Sequence, residues 1–575
     1  VAGSPRKVVL DGRGTITLRD SDYVAAGGEG TVYRANATIV KIYADGAKMI
    51  RDGMTDKIKL LADRLKYNDI IAPQGVVLDE SGKPIGFYMP FVDGEPLSRV
   101  FVSDFRARTR FGDRDAATLA DRMREVVQMA HAAKAVMVDA NELNWLVQYR
   151  MKSGAVPKVI DVDSWAIGRW PATVVMPSIR DWNAAKFDAN SDWFGWGVLA
   201  FQVFTGIHPY KGKIDGYRPG DLIQRMKDNA SVFDARARMP HSVRDFSCIP
   251  GPLLDWFQAT FQQGERTVPP SPLDRAAPAK AARIMRAVTT ATGSLIFERM
   301  FGRANDPVIR VWPNGAALLR SGIVVDLATG SDLMSGASAD CEVVRLSGTG
   351  WVIADQNGGL PRFTHVDGNH RTPLAFLMST RRLFRAGERL FATTDRELLE
   401  LQIRMLGKPT ITVSRRWTML MNSTSWFDGV AVQDVMGATF VFLPIDHAGS
   451  AQVRVKELDG LKVISAMAGG HFAAFVAVDR AGGYQKIELT FDKNFGSYSA
   501  WTGGTDSPDL NMAILPTGVV GTIAADGELT LFVPANGNVN KVQDRHVTTA
   551  MELAGWRDRL VYIFEGNVWR VRMST

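Results

Sequence analysis

From Thr15 to Met89 much of the chain alternates apolar and polar positions with the two-residue period of strands. Thr15-Ile16-Thr17-Leu18 predicts one strand. Val24 to Tyr33 predicts a strand, a glycine turn and a returning strand, and Ile39-Val40-Lys41-Ile42-Tyr43 predicts the next. Gly75-Val76-Val77-Leu78 and Ile85-Gly86-Phe87-Tyr88-Met89 predict a hairpin across Asp79-Glu80-Ser81-Gly82. Over 48–66 and 116–135 the period changes to that of an amphipathic helix. Trp193 to Tyr210 carries no Asp, Glu, Lys or Arg, a length that touches a membrane span. Gly195, Gly197, Gly206, His208 and Pro209 shorten its apolar core, so it predicts a buried helix.

The pattern changes near residue 270, where Val268-Pro269-Pro270-Ser271-Pro272 opens a proline-rich stretch. Residues 274–289, rich in Ala, Arg and Lys, predict one helix. After about residue 290, short β-rich runs alternate with Gly/Asp/Asn turns. Seven runs share a plan of apolar strand, turn and strand: from Val308, Trp351, Leu390, Gly429, Phe472, Val519 and Leu560. Their spacing of roughly forty residues is the period of a four-stranded propeller blade. It predicts an all-β propeller of six or seven blades, with one or two β-sandwiches as the alternative. No Trp-Asp or kelch signature is present, and Trp417, Trp426 and Trp501 read as blade core. The expected organisation is an N-terminal arm (1–14), a small β-rich lobe (15–92), a larger helical lobe (93–275), a linker or helix (276–292) and the propeller (293–575).

Composition narrows the function classes. A chain of 575 residues exceeds one hydrophobic core. A net charge of +7 permits attraction to nucleic acid or an acidic partner without requiring either. Two cysteines, Cys248 and Cys341, exclude a disulfide framework and a cysteine-based zinc site. His365 and His370 flank a tight turn rather than a metal. Val1 to Lys7 lacks the apolar stretch of a signal peptide. The expectation is a cytoplasmic protein without integral membrane contact.

The candidate chemistry is concentrated in the first half. Asp139 is followed four residues later by Leu143 and then Asn144, and Lys158-Val159-Ile160 leads an apolar strand into Asp161-Val162-Asp163-Ser164. Upstream, Gly27, Gly28 and Gly30 form a turn whose backbone amides can approach phosphate oxygens. Lys41 stands on the next strand, where its ammonium can reach a nucleotide's phosphates. Each feature alone has an ordinary structural explanation. In this order, together, they point to phosphoryl transfer.

On these motifs, residues from about 12 to 275 resemble a protein kinase. They are most similar to bacterial kinase-like proteins associated with tellurium-resistance and phosphatase genes. Gly27-Gly28-Glu29-Gly30-Thr31-Val32-Tyr33, Asp139 to Val147 and Ile160-Asp161-Val162-Asp163-Ser164-Trp165 carry the resemblance. Asp192 to Leu199 resembles the helix that anchors the catalytic loop, followed by His208-Pro209-Tyr210. Phe261 to Pro272, with Gly264-Glu265-Arg266-Thr267, resembles the terminal helices of the large lobe.

The resemblance implies a bilobal α+β domain using ATP and Mg²⁺. Gly27, Gly28 and Gly30 would cover the phosphates, Lys41 would pair with them, and Met89 and its neighbours would hold adenine. Asp139 would act as base or orienter, and Asn144 and Asp161 would bind the metal. The implied function is a Ser/Thr protein kinase whose propeller selects a protein substrate or assembly partner. The alternative is a pseudokinase scaffold or structural component of a larger assembly. Several positions depart from the family pattern. Ala25 replaces the first loop glycine, Met137 and Val138 replace His and Arg, and Asp163 replaces a glycine. No Glu follows Lys41 on the next helix, where Asp52 or Asp56 are the nearest substitutes. Met176-Pro177-Ser178-Ile179 to Trp182 lies where kinases carry Ala-Pro-Glu, which weakens peptide binding more than nucleotide binding.

Overall fold

The computed structural model describes residues 6–573 except 151–153, 173–174, 219, 241, 275–294, 347–349, 357–359, 407, 446–448, 525–526, 535 and 545. The helix expected over 274–289 lies, beyond its first residue, outside the described residues. The chain is multidomain, with a mixed N-terminal region followed by an all-β C-terminal region.

The N-terminal region opens with an antiparallel sheet of seven strands in the order β2-β1-β6-β7-β5-β4-β3. These are β1 (Arg6–Leu10), β2 (Gly14–Leu18), β3 (Tyr23–Ala26), β4 (Gly30–Ala35), β5 (Thr38–Tyr43), β6 (Gly75–Leu78) and β7 (Pro84–Pro90). Residues 6–10, expected within an arm, form an integral strand paired with β2 and β6. Strand alternation sorts the side chains of β5. Val40 and Ile42 join Val8, Leu10, Val77 and Tyr88 on one face. Lys41 and Tyr43 take the opposite face, where Met49, Ile58, Val76 and Phe87 pack. Helices α1 (Gly46–Arg51) and α2 (Met54–Arg64) supply Met49 and Ile58 to that cluster. The single helix expected over 48–66 is thus two, broken at Gly53, whose φ of 66° is left-handed.

A short strand β8 (Glu95–Pro96) leads into α3 (Leu97–Val100), α4 (Ser103–Thr109) and the long α5 (Asp113–Ala132). Next come β9 (Ala135–Val136), the hairpin β10 (Trp145–Arg150) and β11 (Gly154–Val159), and β12 (Ala166–Ile167). Helices α6 (Ala189–Thr205), α7 (Leu222–Lys227) and α8 (Gly251–Phe261) complete this part. Asp188 caps α6 by accepting from the backbone N–H groups of Asn190 and Ser191. Every residue of α6 from Ser191 to Thr205 is buried, as the uncharged run predicts. Among the described residues no helix is long and apolar enough to cross a membrane. Phe201 packs against Phe233, Phe246, Phe257 and Phe261, joining α6 to α8. Helix α8 ends at Phe261, so residues 262–272, expected as terminal helices, are instead a segment without helix or strand. Pro269, Pro270 and Pro272 supply no backbone donors for a helix there.

The C-terminal region consists of seven four-stranded antiparallel sheets. In chain order they span 308–334, 342–374, 382–418, 424–454, 462–505, 512–542 and 552–573, and the last takes its fourth strand from 295–301. Each of the seven apolar runs read from the sequence falls in a different sheet. Apolar clusters join each sheet to the next: Leu318 with Ile353, Val352 with Leu390, and Phe384 with Trp426. Val441 with Phe475, and Phe472 with Met512, continue the series. The sixth sheet meets the seventh through Ile523 and Tyr562, and the seventh meets the first through Val561 and Leu319. Trp426 is core, Trp417 is half-buried beside it, and Trp501 is 55% exposed, against the expectation.

The two regions dock together. The Tyr23 hydroxyl donates to Asp434, Asp509 accepts from the backbone and hydroxyl of Ser103, and the Tyr484 hydroxyl reaches Gln202 at 3.4 Å. The pairing of Leu295–Phe301 with Asn567–Met573 has a direct consequence for stability. Ending the chain at Phe564 removes the strand between Leu295–Phe301 and Arg559–Phe564, leaving two unpaired edges. The expected outcome is self-association with a lowered melting temperature, read by size-exclusion light scattering and thermal unfolding.

Candidate functional site

Lys41 lies at the centre of the N-terminal region and is only 6% exposed. Its Nζ donates to Asp161 Oδ1 at 2.7 Å, Asp163 Oδ2 at 2.9 Å and Glu29 Oε2 at 3.2 Å. Burial alone would lower its pKa, but Asp163, Asp161 and Glu29 outweigh it and hold the ammonium well above the ordinary lysine range. Tyr43, two residues along the same strand face, donates to Asp163 Oδ2 at 2.7 Å. Burial pushes the Asp161 carboxyl up to about 6, with Lys41 opposing. Asp161 takes a left-handed φ of 59°, and its carbonyl accepts from the Ser164 hydroxyl at 2.8 Å. That turn places the Asp161 and Asp163 carboxylates on the same ammonium.

The helix after Lys41 contributes a cation rather than an acid. Lys57 of α2 is fully buried and donates to the Asp163 carbonyl at 2.6 Å. Asp56 instead faces Arg169 at 3.6 Å on the surface, and Asp52 offers its carbonyl to the Trp170 indole. Neither substitutes for a helix Glu, and Asp163 supplies the carboxylate in its place. Glu29, Tyr43, Asp163 and Lys57 were not assigned roles from the sequence. The readable signals were Tyr43 at strand spacing from Lys41, and Lys57 at helical spacing from Leu61 on the buried face.

The loop 137–144 stands on α6. Asp192 accepts from the backbone N–H groups of Met137 and Val138, both at 2.8 Å, and meets His131 Nε2 at 2.9 Å. Val138 has a φ of 57°, a strained conformation for a β-branched residue that these bonds hold in place. Asp139 follows, 8% exposed, its Oδ1 accepting from Met176 N at 2.7 Å and Asn141 Nδ2 at 3.1 Å. Burial raises its pKa, and these donors oppose the rise. Asn144 Nδ2 donates to the Asp139 carbonyl at 2.8 Å, and Ile160 N donates to the Asn144 carbonyl at 2.9 Å. The second bond sets Asn144 beside the residue preceding Asp161.

Of the glycines, Gly30 is the sterically required one, since a Cβ there would overlap the Ile42 carbonyl. Gly27 and Gly28 have open space around their Cβ positions, which leaves the turn free on one side. Met89, the penultimate residue of β7, has its side chain in the α2-facing cluster, and it makes no hydrogen bond to the Lys41 cluster among the described residues.

Segment 176–182 is clamped from several directions. Arg266 forms a two-point ion pair with Asp181, at 2.5 and 2.9 Å. Burial pulls His208 down to about 3, so the ring is neutral: Nε2 donates to the Ser178 carbonyl at 2.8 Å while Nδ1 accepts from Tyr210 N at 3.1 Å. From the C-terminal region, Gly482 presses on Ser178 and Met176, leaving no room for a Cβ. Tyr484 lies under Lys211, whose Nζ is 3.8 Å from the phenol centroid.

The donor set fits a hard divalent cation. Carboxylate oxygens of Glu29, Asp161 and Asp163 lie within 4.8 Å of one another, and Mg²⁺ is held by oxygen ligands. Asp161 is thus grouped with two acids the sequence reading did not assign, while Asn144 joins through the backbone. No protein-family model and no curated protein matches this chain.

Glu142, inside the loop, yields an expectation on pH. It is 2% exposed with Oε2 unpartnered among the described residues, and burial pushes its carboxyl up to about 7. The folded protein therefore holds an extra proton between the ordinary glutamate range and pH 7, and stability falls as pH rises through that window. Glu142→Gln removes this loss. Thermal unfolding from pH 4.5 to 8 should show the variant gaining on the parent as pH rises, by on the order of 3 kcal/mol above pH 7.

Proposed function

We propose that the N-terminal region is a kinase-like, Mg²⁺- and ATP-binding domain, and that the seven C-terminal sheets are the blades of a propeller that engages a protein partner. The observation that carries the nucleotide site is Lys41, held by Asp161 and Asp163 at 2.7 and 2.9 Å beneath the glycine turn. The anchoring of the Asp139 loop on Asp192 supports the same reading. The propeller reading is supported by the apolar clusters that link each sheet to its neighbour and the last to the first.

In this reading Lys41 neutralises the nucleotide's phosphates, exchanging carboxylate partners for phosphate oxygens. Asp161, with Glu29, Asp163 or Asn144, would hold Mg²⁺, which would supply positive charge against the nucleotide's phosphates. Asp163 keeps Lys41 pointed into the cleft, a task its buried position and its bond from Tyr43 suit. Asp139 orients a Ser or Thr hydroxyl for in-line attack once the Met176 N–H leaves its carboxylate. A second reading, a nucleotide-binding pseudokinase scaffold, is favoured by one observation: Asp139 is buried with Oδ1 engaged by Met176 and Asn141.

Calorimetric Mg·ATP binding and γ-phosphate transfer, beside Lys41→Ala and Asp161→Asn, separate the readings. The expected outcome is binding by the parent, weakened at least about tenfold in each variant by loss of a charge-assisted contact. Transfer lost in both variants supports a kinase. Binding without transfer supports the scaffold, and no binding by the parent overturns both.

A further inference from the structure

A second cavity, of about 230 Å³, lies where α3 meets the first strands of the third, fourth and fifth sheets. Four cationic side chains, Arg99, Arg381, Arg382 and Lys462, line it against the single carboxylate of Glu95. Arg381 is paired with Asp395, and Arg99 donates to the Ile464 carbonyl while stacking over Phe427. Arg382 and Lys462 are different. Among the described residues neither side chain forms a hydrogen bond or ion pair. Arg382 is half-buried and held below its ordinary range by burial and by the neighbouring Arg108, while Lys462 stands exposed at the rim of the cavity. Glu95 is the common counter-charge, lying 4.0 Å from Arg99 and lowered by Arg99, Arg382, Arg108 and Lys462. With Arg381 paired to Asp395 and Arg99 also within 3.9 Å of Asp104, Arg382 and Lys462 are left to share the half-exposed Glu95, and like charges gathered at a domain junction lower stability unless an anion joins them.

We propose that this cavity binds a small phosphoryl-bearing anion. Its donors come from separate elements: Arg99 from α3, Arg382 from the third sheet, Ser425 from the fourth and Lys462 from the fifth. Donors converging from several sides suit a tetrahedral group, which presents acceptor oxygens in every direction, better than a planar carboxylate. The volume is below the roughly 300–1,000 Å³ of pockets that enclose drug-sized ligands, so it takes a phosphate or diphosphate group rather than a whole nucleotide. The bound anion ties α3 to three sheets. Because Ser98 N donates to the Glu142 carbonyl at 3.3 Å, it also bears on the loop that carries Asp139. The site is independent of the nucleotide reading.

The test uses the full chain and inorganic pyrophosphate without divalent cation, at constant ionic strength, read by calorimetry and thermal shift. Four proteins are compared: the parent, Arg382→Ala/Lys462→Ala, Glu95→Gln and Lys41→Ala. The expected result is saturable binding that raises the parent's melting temperature and weakens at least about tenfold in the double variant. Glu95→Gln should tighten it several-fold by removing the one opposing charge. Arg382 and Lys462 hold nothing in place, so the double variant should melt at or above the parent's temperature without ligand. Three results would overturn the proposal: no saturable binding by the parent, equal binding by sulfate at matched ionic strength, or binding lost in Lys41→Ala but kept in the double variant. The last would place pyrophosphate in the cleft.

Discussion

A buried ammonium needs compensating charge, and the N-terminal region is organised around that need at Lys41. Its three carboxylate partners come from the glycine turn and from the turn after β11. Asp163 then accepts from Tyr43 and, through its carbonyl, from Lys57 of α2. One network thus ties sheet, helix and loop hairpin together. Removing Lys41 would leave carboxylates gathered without their shared counter-charge, so the parts are constrained to keep their relation.

The exchange of roles in this network is the structural finding of most consequence for chemistry. A carboxylate beside a strand lysine was expected on the following helix; it lies instead on the turn carrying Asp161. The helix presents Lys57, which serves the backbone of that turn. Such an arrangement keeps Lys41 oriented without requiring α2 to swing, because the acid and its partner Tyr43 belong to the turn and to the strand itself. Asp139 belongs to a different unit, fixed from below by Asp192 and from the side by Met176.

The seven sheets act on the N-terminal region as a broad support. They reach Tyr23 in the sheet-bearing part, Ser103 at the start of α4, and Gln202 and Ser178 in the helical part. These contacts reach both the sheet-bearing part that carries Lys41 and the helical part that carries Asp139, and those at Ser178 and Met176 bear on the segment that covers Asp139. The surface beside Asp139 is therefore shared with the fifth sheet.

The sequence by itself determined the element types in most of the chain. Period-two runs became β2 to β7, the uncharged run became buried α6, and seven apolar runs each became part of a separate sheet. Local side-chain alternation and turn chemistry decide these. Motif order along the chain assigned Lys41 and Asp161 to one site, Lys41 to phosphates and Asp161 to a metal, and the fold sets the two in direct contact at 2.7 Å. Tertiary structure decided what period and spacing do not encode. It drew residues 6–10 into the sheet, ended α8 at Phe261 where the proline-rich run begins, and left Trp501 exposed. It also chose Asp163 over Asp52 and Asp56 as the partner of Lys41. That choice rests on the left-handed turn at Asp161 and on helix packing that turns Lys57 inward, both consequences of distant segments meeting. The gathering of Arg99, Arg382 and Lys462 has the same origin, since charges hundreds of residues apart become neighbours only when α3 docks on the sheets.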